Sequence, residues 1–220
     1  MTWILHFFQT SIGKKIFMAT TGVLLAFFLV AHLVGNLMLF GGKDMFNNYV
    51  VSLTAMKPLV RVAEVILTLI FVGHILSGIR VSLENKKAKP RSYKIAPGNV
   101  TANFYSRTMA ISGSIIFIFL VFHLQTFWWN FQNMHGRNSD FYEVVVNSKI
   151  GFNNPLVATF YILALILLAL HLRHGFQSAF QTFGLSDSRY KGIVEKTSIL
   201  FWLIIPLGFI SIPLYFGFIK

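Results

Sequence analysis

Cysteine is absent from this 220-residue sequence. Its absence excludes disulfides, thiolate-bound iron–sulfur clusters, cysteine zinc sites and haem attached covalently through a Cys-x-x-Cys-His motif. Charge is scarce as well. Only 12% of the residues are charged, against about 25% in an ordinary soluble domain. Asp and Glu together number seven, which leaves a formal net charge of +12. No dinucleotide-binding glycine fingerprint occurs. On a polar chain so large a positive excess would point to nucleic acid. Here the cations sit in loops between long apolar runs, so they point to membrane topology and to an acidic or lipid-facing partner surface.

What is abundant is apolar. Hydrophobic residues make up 55% of the chain and the mean hydropathy is +0.65. Five stretches, 16–40, 59–83, 104–130, 155–181 and 197–218, are each long enough to cross a hydrocarbon layer of about 30 Å, which takes roughly 20 helical residues. Lys14-Lys15 before the first run resembles the start of a signal peptide. That run continues for about 25 residues with no small-x-small cleavage site, so it reads as a span. Only helices satisfy their own backbone in lipid without closing a barrel. The expectation is an all-α, integral membrane five-helix bundle forming a single transmembrane domain over 1–220. Gly-Gly at 41–42, Lys-Pro at 57–58, Ala-Pro-Gly at 96–98 and Asn-Asn-Pro at 153–155 mark short loops and helix starts.

Thirteen of the 19 Lys and Arg residues fall on one side of the five spans. The positive-inside rule makes that side cytoplasmic, with the N-terminus inside and the C-terminus outside. Trp128 and Trp129 then fall at the outer interface, where an aromatic belt is expected.

Each of spans one to four holds a histidine, His32, His74, His123 and His171, and span four also holds His174. A polar residue at membrane depth is a functional candidate. Alternate spans run in opposite directions, and with a rise of 1.5 Å per residue His32 and His123 share an outer level while His74 and His171 share an inner one. Two matched pairs are what two bis-histidine haems stacked across the bilayer require. Glycine recurs at fixed spacing. Gly22 and Gly113 stand ten residues before His32 and His123, each after a hydroxyl residue (Thr21, Ser112). Gly78 and Gly175 stand four residues after His74 and His171. A glycine one turn from a ligand leaves a porphyrin face unobstructed. Close helix packing is the alternative use of such glycines. His174 competes with His171 as the ligand in span four, and His174 and Arg173 also read as partners for a haem propionate. His6 and His135 lie outside the spans and read as surface residues.

These residues resemble the dihaem cytochrome b membrane anchor of succinate:quinone oxidoreductases, the succinate dehydrogenase and fumarate reductase family, in its single-anchor five-helix form. The resemblance rests on Lys14-Lys15, Thr21-Gly22, HLVGN (32–36), RVAEVILTLIFVGHILSGIR (61–80), SRTMAISGSIIFIFLVFHL (106–124) and HLRHGFQSAFQTFG (171–184). It implies haems enclosed by the first four helices, His32 with His123 on the outer haem, His74 with His171 on the inner one, and a peripheral fifth span. It also implies a flavoprotein subunit and an iron–sulfur subunit on the cytoplasmic face of the inner membrane, and a quinone, menaquinone for this type. Dicarboxylate chemistry then belongs to those subunits, with quinone turnover on this chain. The lysine-rich loop 86–94 reads either as their docking surface or as topology control. A dihaem anchor of a hydrogenase or formate dehydrogenase is the alternative, and HLVGN and the 61–80 stretch argue against it.

Glu64 is the one acidic residue within the first four spans. It reads either as the proton-exchange group of a quinone site near the outer haem or as a salt-bridge partner of Arg61, three residues before it. By depth, Arg80 and Arg107 suit inner propionates, and Arg61 and Arg137 outer ones, because arginine binds carboxylates through two parallel hydrogen bonds.

Overall fold

The computed structural model describes residues 6, 7, 9–87, 104–134, 139–185 and 187–220, with the side chains of 104–107 and 188 left out of the description. Among the described residues every regular element is helical. Helix α1 (Ser11–Leu37) starts at Thr10, whose hydroxyl accepts the Gly13 N–H at 3.0 Å, and closes through a 3₁₀ turn, Met38–Gly41. Gly42, at φ 87°, turns the chain into α2 (Lys43–Ala55). A β-carbon disfavours that left-handed conformation. Helix α3 (Lys57–Lys87) is the second span. The third comprises α4 (Phe104–His123), a π-helical turn (Leu124–Trp128) and α5 (Trp129–Asn133). A short helix, α6 (Phe141–Val146), precedes α7 (Pro155–Thr182), the fourth span. The Asn-Asn-Pro signal starts α7 as its chemistry demands: Asn154 caps the Leu156 N–H and Pro155 opens the helix where no N–H is needed. The fifth span comprises α8 (Ser188–Ile199), α9 (Ile205–Leu214) and two π-helical turns, Leu200–Ile204 and Tyr215–Ile219.

Five helices are long and apolar enough to cross a membrane. The chain is a multi-pass membrane protein. The helices run 26 to 31 residues, about 39–46 Å at helical rise, so they overreach the hydrocarbon and extend past the spans expected from apolarity alone.

Helices α1 and α7 are central. Helix α3 packs on α1, α4 packs on α7, and α9 fills the groove between α1 and α7, whereas α3 and α4 scarcely touch. Lipid tails are as apolar as leucine, so close fit rather than water exclusion joins these helices. Glycine permits that fit on the fifth span: a Cβ at Gly208 would sit 2.8 Å from Leu33. One core cluster joins Ala26, Leu165, Leu172, Phe176, Phe201, Ile205 and Phe209. The fifth span is therefore less remote than its lack of histidine suggests, because Phe209 reaches the His32 ring, with centroids 5.7 Å apart.

The 41–58 connection is not the short loop its turn residues suggest. It contains all of α2, which packs with α6 at one end of the spans. Phe46 and Val50 of α2 pack with Leu39, Phe141, Val145 and Val146 in a second core cluster. Polar bonds clasp the two helices. Asn47 Nδ2 donates to Asp140 Oδ1 at 3.1 Å, Asn47 Oδ1 accepts the Tyr142 N–H at 2.9 Å, and Lys43 pairs with Asp140.

Candidate haem and quinone sites

The outer level brings two histidines together. The His32 and His123 ring centroids are 5.8 Å apart with planes at 88°. At that separation the two imidazoles would be able to serve one haem iron, which takes its protein ligands from histidine in many cytochromes. Aromatic rings cage the pair. Phe28 stacks on His32, Phe119 and Phe127 lie against His123, and Tyr161 Oη is 3.4 Å from His123 Nδ1. The π turn begins one residue after His123, and such bulges gather at functional sites.

At the inner level His74 and His171 lie within electrostatic reach of each other. Each contacts a hydroxyl from a neighbouring span: Thr21 Oγ1 lies 3.1 Å from His74 Nδ1, and Ser112 Oγ 3.2 Å from His171 Nδ1. The glycines beside those hydroxyls belong to the same contacts. A Cβ at Gly22 would sit 3.1 Å from His74 Cε1, and one at Gly113 would sit 3.5 Å from His171 Cε1. The Thr-Gly and Ser-Gly pairs therefore face the inner histidines, not the outer ones they precede in sequence. Ten residues of helix span about 15 Å, which is the drop from one level to the other. A Cβ at Gly78 or Gly175 would meet nothing within 4 Å. His174 is half-buried, and among the described residues no hydrogen-bond partner reaches its ring.

The donor set suits b-type haem: imidazoles at two levels, glycines one turn away whose β-carbons would meet no protein atom within 4 Å, and no thiolate. Among the described residues no group of three or more His, Cys, Asp or Glu could hold a metal ion, and a haem iron needs only two axial side chains.

The arginines divide. Arg80 donates to Glu84 Oε1 at 3.1 Å, Lys14 donates to the same carboxylate at 2.7 Å, and with Phe17 and Ser77 the two cations line a cavity of about 220 Å³. Arg173 lies over the Trp202 ring of the fifth span, 4.9 Å from its centroid. Arg61 is bonded to Glu64 and to Gln132. The side chains of Arg107 and Arg137, and loop residues 88–94, lie outside the described residues.

Both readings of Glu64 meet in one place. Oε2 accepts from Arg61 Nη1 at 2.7 Å and Oε1 accepts from Trp128 Nε1 at 2.9 Å. Arg61, Glu64, Val65, Thr68, Leu69 and Trp128 line a cavity of about 300 Å³ between spans two and three, within the size range of small-molecule sites. Trp128 had signalled only an interface belt, and Tyr161 and Gln132 had given no signal. Thr21 and Ser112 were visible as a repeat, but their partners were not.

The sequence profile of the family described as Succinate dehydrogenase/Fumarate reductase transmembrane subunit matches residues 8–103. Over that segment, a little under half of its length, the chain is similar to this family. No curated protein and no solved structure matches the chain. The family segment covers spans one and two and holds Thr21, Gly22, His32, Arg61, Glu64, His74, Gly78 and Arg80. Ser112, His123 and His171 lie beyond it, and their relation to the anchor family rests on what they face in the fold.

Proposed function

We propose that this chain is the dihaem cytochrome b subunit of a succinate dehydrogenase or fumarate reductase in the inner membrane. It passes electrons between an iron–sulfur partner subunit and a quinone, menaquinone by the resemblance. The observation that carries the reading is the set of four imidazoles gathered at two levels, with the His32 and His123 ring centroids 5.8 Å apart. His32 and His123 would hold the outer haem, and His74 and His171 the inner one, among the first four helices. When bound, each haem supplies a one-electron carrier. The protein orients the imidazoles, excludes water with aromatic rings around the outer pair, and spaces the two levels about 15 Å apart along the helices. With the N-terminus cytoplasmic, the inner level would face a flavoprotein and an iron–sulfur subunit docked on that side, and Arg80 and Lys14, which line a cavity there, would be able to hold a propionate. Hydrogen bonding of His171 to Ser112 favours it over His174 as the ligand.

Glu64 is the proton-exchange group in this reading. Arg61 holds one carboxylate oxygen, and the Trp128 indole occupies the other, where a quinol hydroxyl can take its place as donor. Glu64→Gln keeps the size and a hydrogen-bonding oxygen but cannot carry the proton. In the purified complex quinone turnover should fall at least tenfold with both haems retained. Turnover at the parental rate would remove Glu64 from the mechanism.

A further inference from the structure

The inner histidines have something the outer pair lacks. Thr21 and Ser112 are two of only four buried polar residues among those described, 5% and 6% exposed. A hydroxyl has one proton to give. Thr21 Oγ1 directs its proton at the Phe17 carbonyl at 2.8 Å, with the Met18 carbonyl at 3.1 Å. Ser112 Oγ directs its proton at the Met109 carbonyl at 3.1 Å. With those protons committed, each hydroxyl oxygen accepts, and the imidazole Nδ1–H donates. The Met18 carbonyl, a second acceptor near the His74 ring, favours the same tautomer. In both rings the Nε2 lone pair is then free, which is the form a metal requires.

At the outer level the arrangement differs. Among the described residues no hydrogen-bond partner reaches the His32 ring, and His123 has only the Tyr161 hydroxyl, at a long 3.4 Å. Aromatic packing, not hydrogen bonding, sets those rings.

We infer that Thr21 and Ser112 are positioning residues for the inner haem: their hydroxyl oxygens lock His74 and His171 in the Nδ1–H tautomer and set the electron-donating strength of both ligands. This rests on the dihaem reading above. An acceptor on the far ring nitrogen raises ligand basicity, and a more basic ligand favours ferric iron. The two hydroxyls thus hold the inner haem at a lower potential than bare imidazoles would, with no effect at the outer level.

The test is a potentiometric titration of the b haems, followed by their visible and ferric EPR spectra, in the purified complex. Thr21→Val and Ser112→Ala, alone and combined, remove the acceptors. Thr21→Ser and Ser112→Thr keep them. One of the two midpoint potentials should rise in each single variant and rise further in the double variant, with the other unmoved and the hydroxyl-retaining variants at the parental value. Loss of one haem from the valine and alanine variants, with retention in the serine and threonine ones, supports the same role, because only the hydroxyl differs. Unchanged potentials in the double variant, a shift of the other haem alone, or equal haem loss in the hydroxyl-retaining variants would overturn it. A parental complex without b haem would instead overturn the dihaem reading itself.

Discussion

The glycines beside the histidines have two distinct surroundings, and single substitutions probe them. At Gly22 a β-carbon would meet the His74 ring at 3.1 Å, closer than most real contacts. Gly22→Val should displace that imidazole and halve haem content, with the outer haem retained. At Gly78 a β-carbon meets no protein atom within 4 Å. Gly78→Leu should therefore leave insertion and helicity unchanged. If the space belongs to a porphyrin face, haem binding must fall, as measured by the reduced b-type bands per mole of protein. Parental haem content in Gly78→Leu would show that the glycine merely faces lipid. The histidines, the glycines and Glu64 stand out in the sequence, because polar chemistry at membrane depth is conspicuous against an apolar background. Their partners do not. Spacing along one helix says nothing about which residue of the next helix stands at the same height, so Thr21 and Gly22 were attached to His32 instead of His74. Tyr161 was hidden for another reason: one more aromatic residue among 24 phenylalanines and seven tyrosines carries no signal until its hydroxyl is seen beside His123.

Among the elements, the long spans were easy to read and the short helices were not. Thirteen residues of α2 between Gly42 and Met56 are too few to cross a bilayer, and the flanking Gly-Gly and Lys-Pro are ordinary loop signals. Only the partner surface on α6 makes this helix bury Phe46 and Val50. The clasp between the two helices titrates. Burial raises the Asp140 carboxyl pKa, but hydrogen bonds from Lys43, Asn47 and the Glu143 N–H, together with the Lys43 charge, outweigh it and hold the group below the usual carboxylate range. A depressed folded pKa contributes stability that is present above the unfolded value of about 3.9 and is lost as pH falls through the folded one. Lys43 is shifted upward by its hydrogen bond to Asp140 and the charge there, so its share persists across neutral pH and is lost only as pH rises through that raised value. Hydrogen-exchange protection of 43–55 and 141–146 should therefore hold at neutral pH and decline below about pH 4. Asp140→Asn should flatten that acid dependence. An unchanged acid profile in the variant would assign the decline to other groups. Phe209 makes the matching point for the fifth span. Phe209→Ala should weaken haem binding at the outer level, where the ring touches His32, and spare the inner level.

At the scale of the whole molecule, the five spans and their alternation could be read from composition, because bilayer thickness imposes the length. How the helices pack could not be read. Apolar side chains face lipid as readily as they face a neighbour, so hydropathy does not reveal that α1 and α7 are central or that α3, though packed on α1, has no buried residue along its length. Orientation rests on the unequal distribution of Lys and Arg, and the absence of cysteine makes it testable. In intact cells or spheroplasts a membrane-impermeant thiol reagent should label Lys220→Cys and leave Lys87→Cys unlabelled until the membrane is opened. The reverse pattern would invert the chain and place Glu64 on the cytoplasmic side. The central claim is that four histidines at two levels hold two haems, and the most direct measurement is the haem-to-protein ratio of the purified chain, parental and with each histidine replaced by alanine. The account predicts two b haems in the parent and a loss confined to one level in each of the His32, His74, His123 and His171 variants. A parent without b-type bands, or variants at these positions that keep both haems, would contradict it.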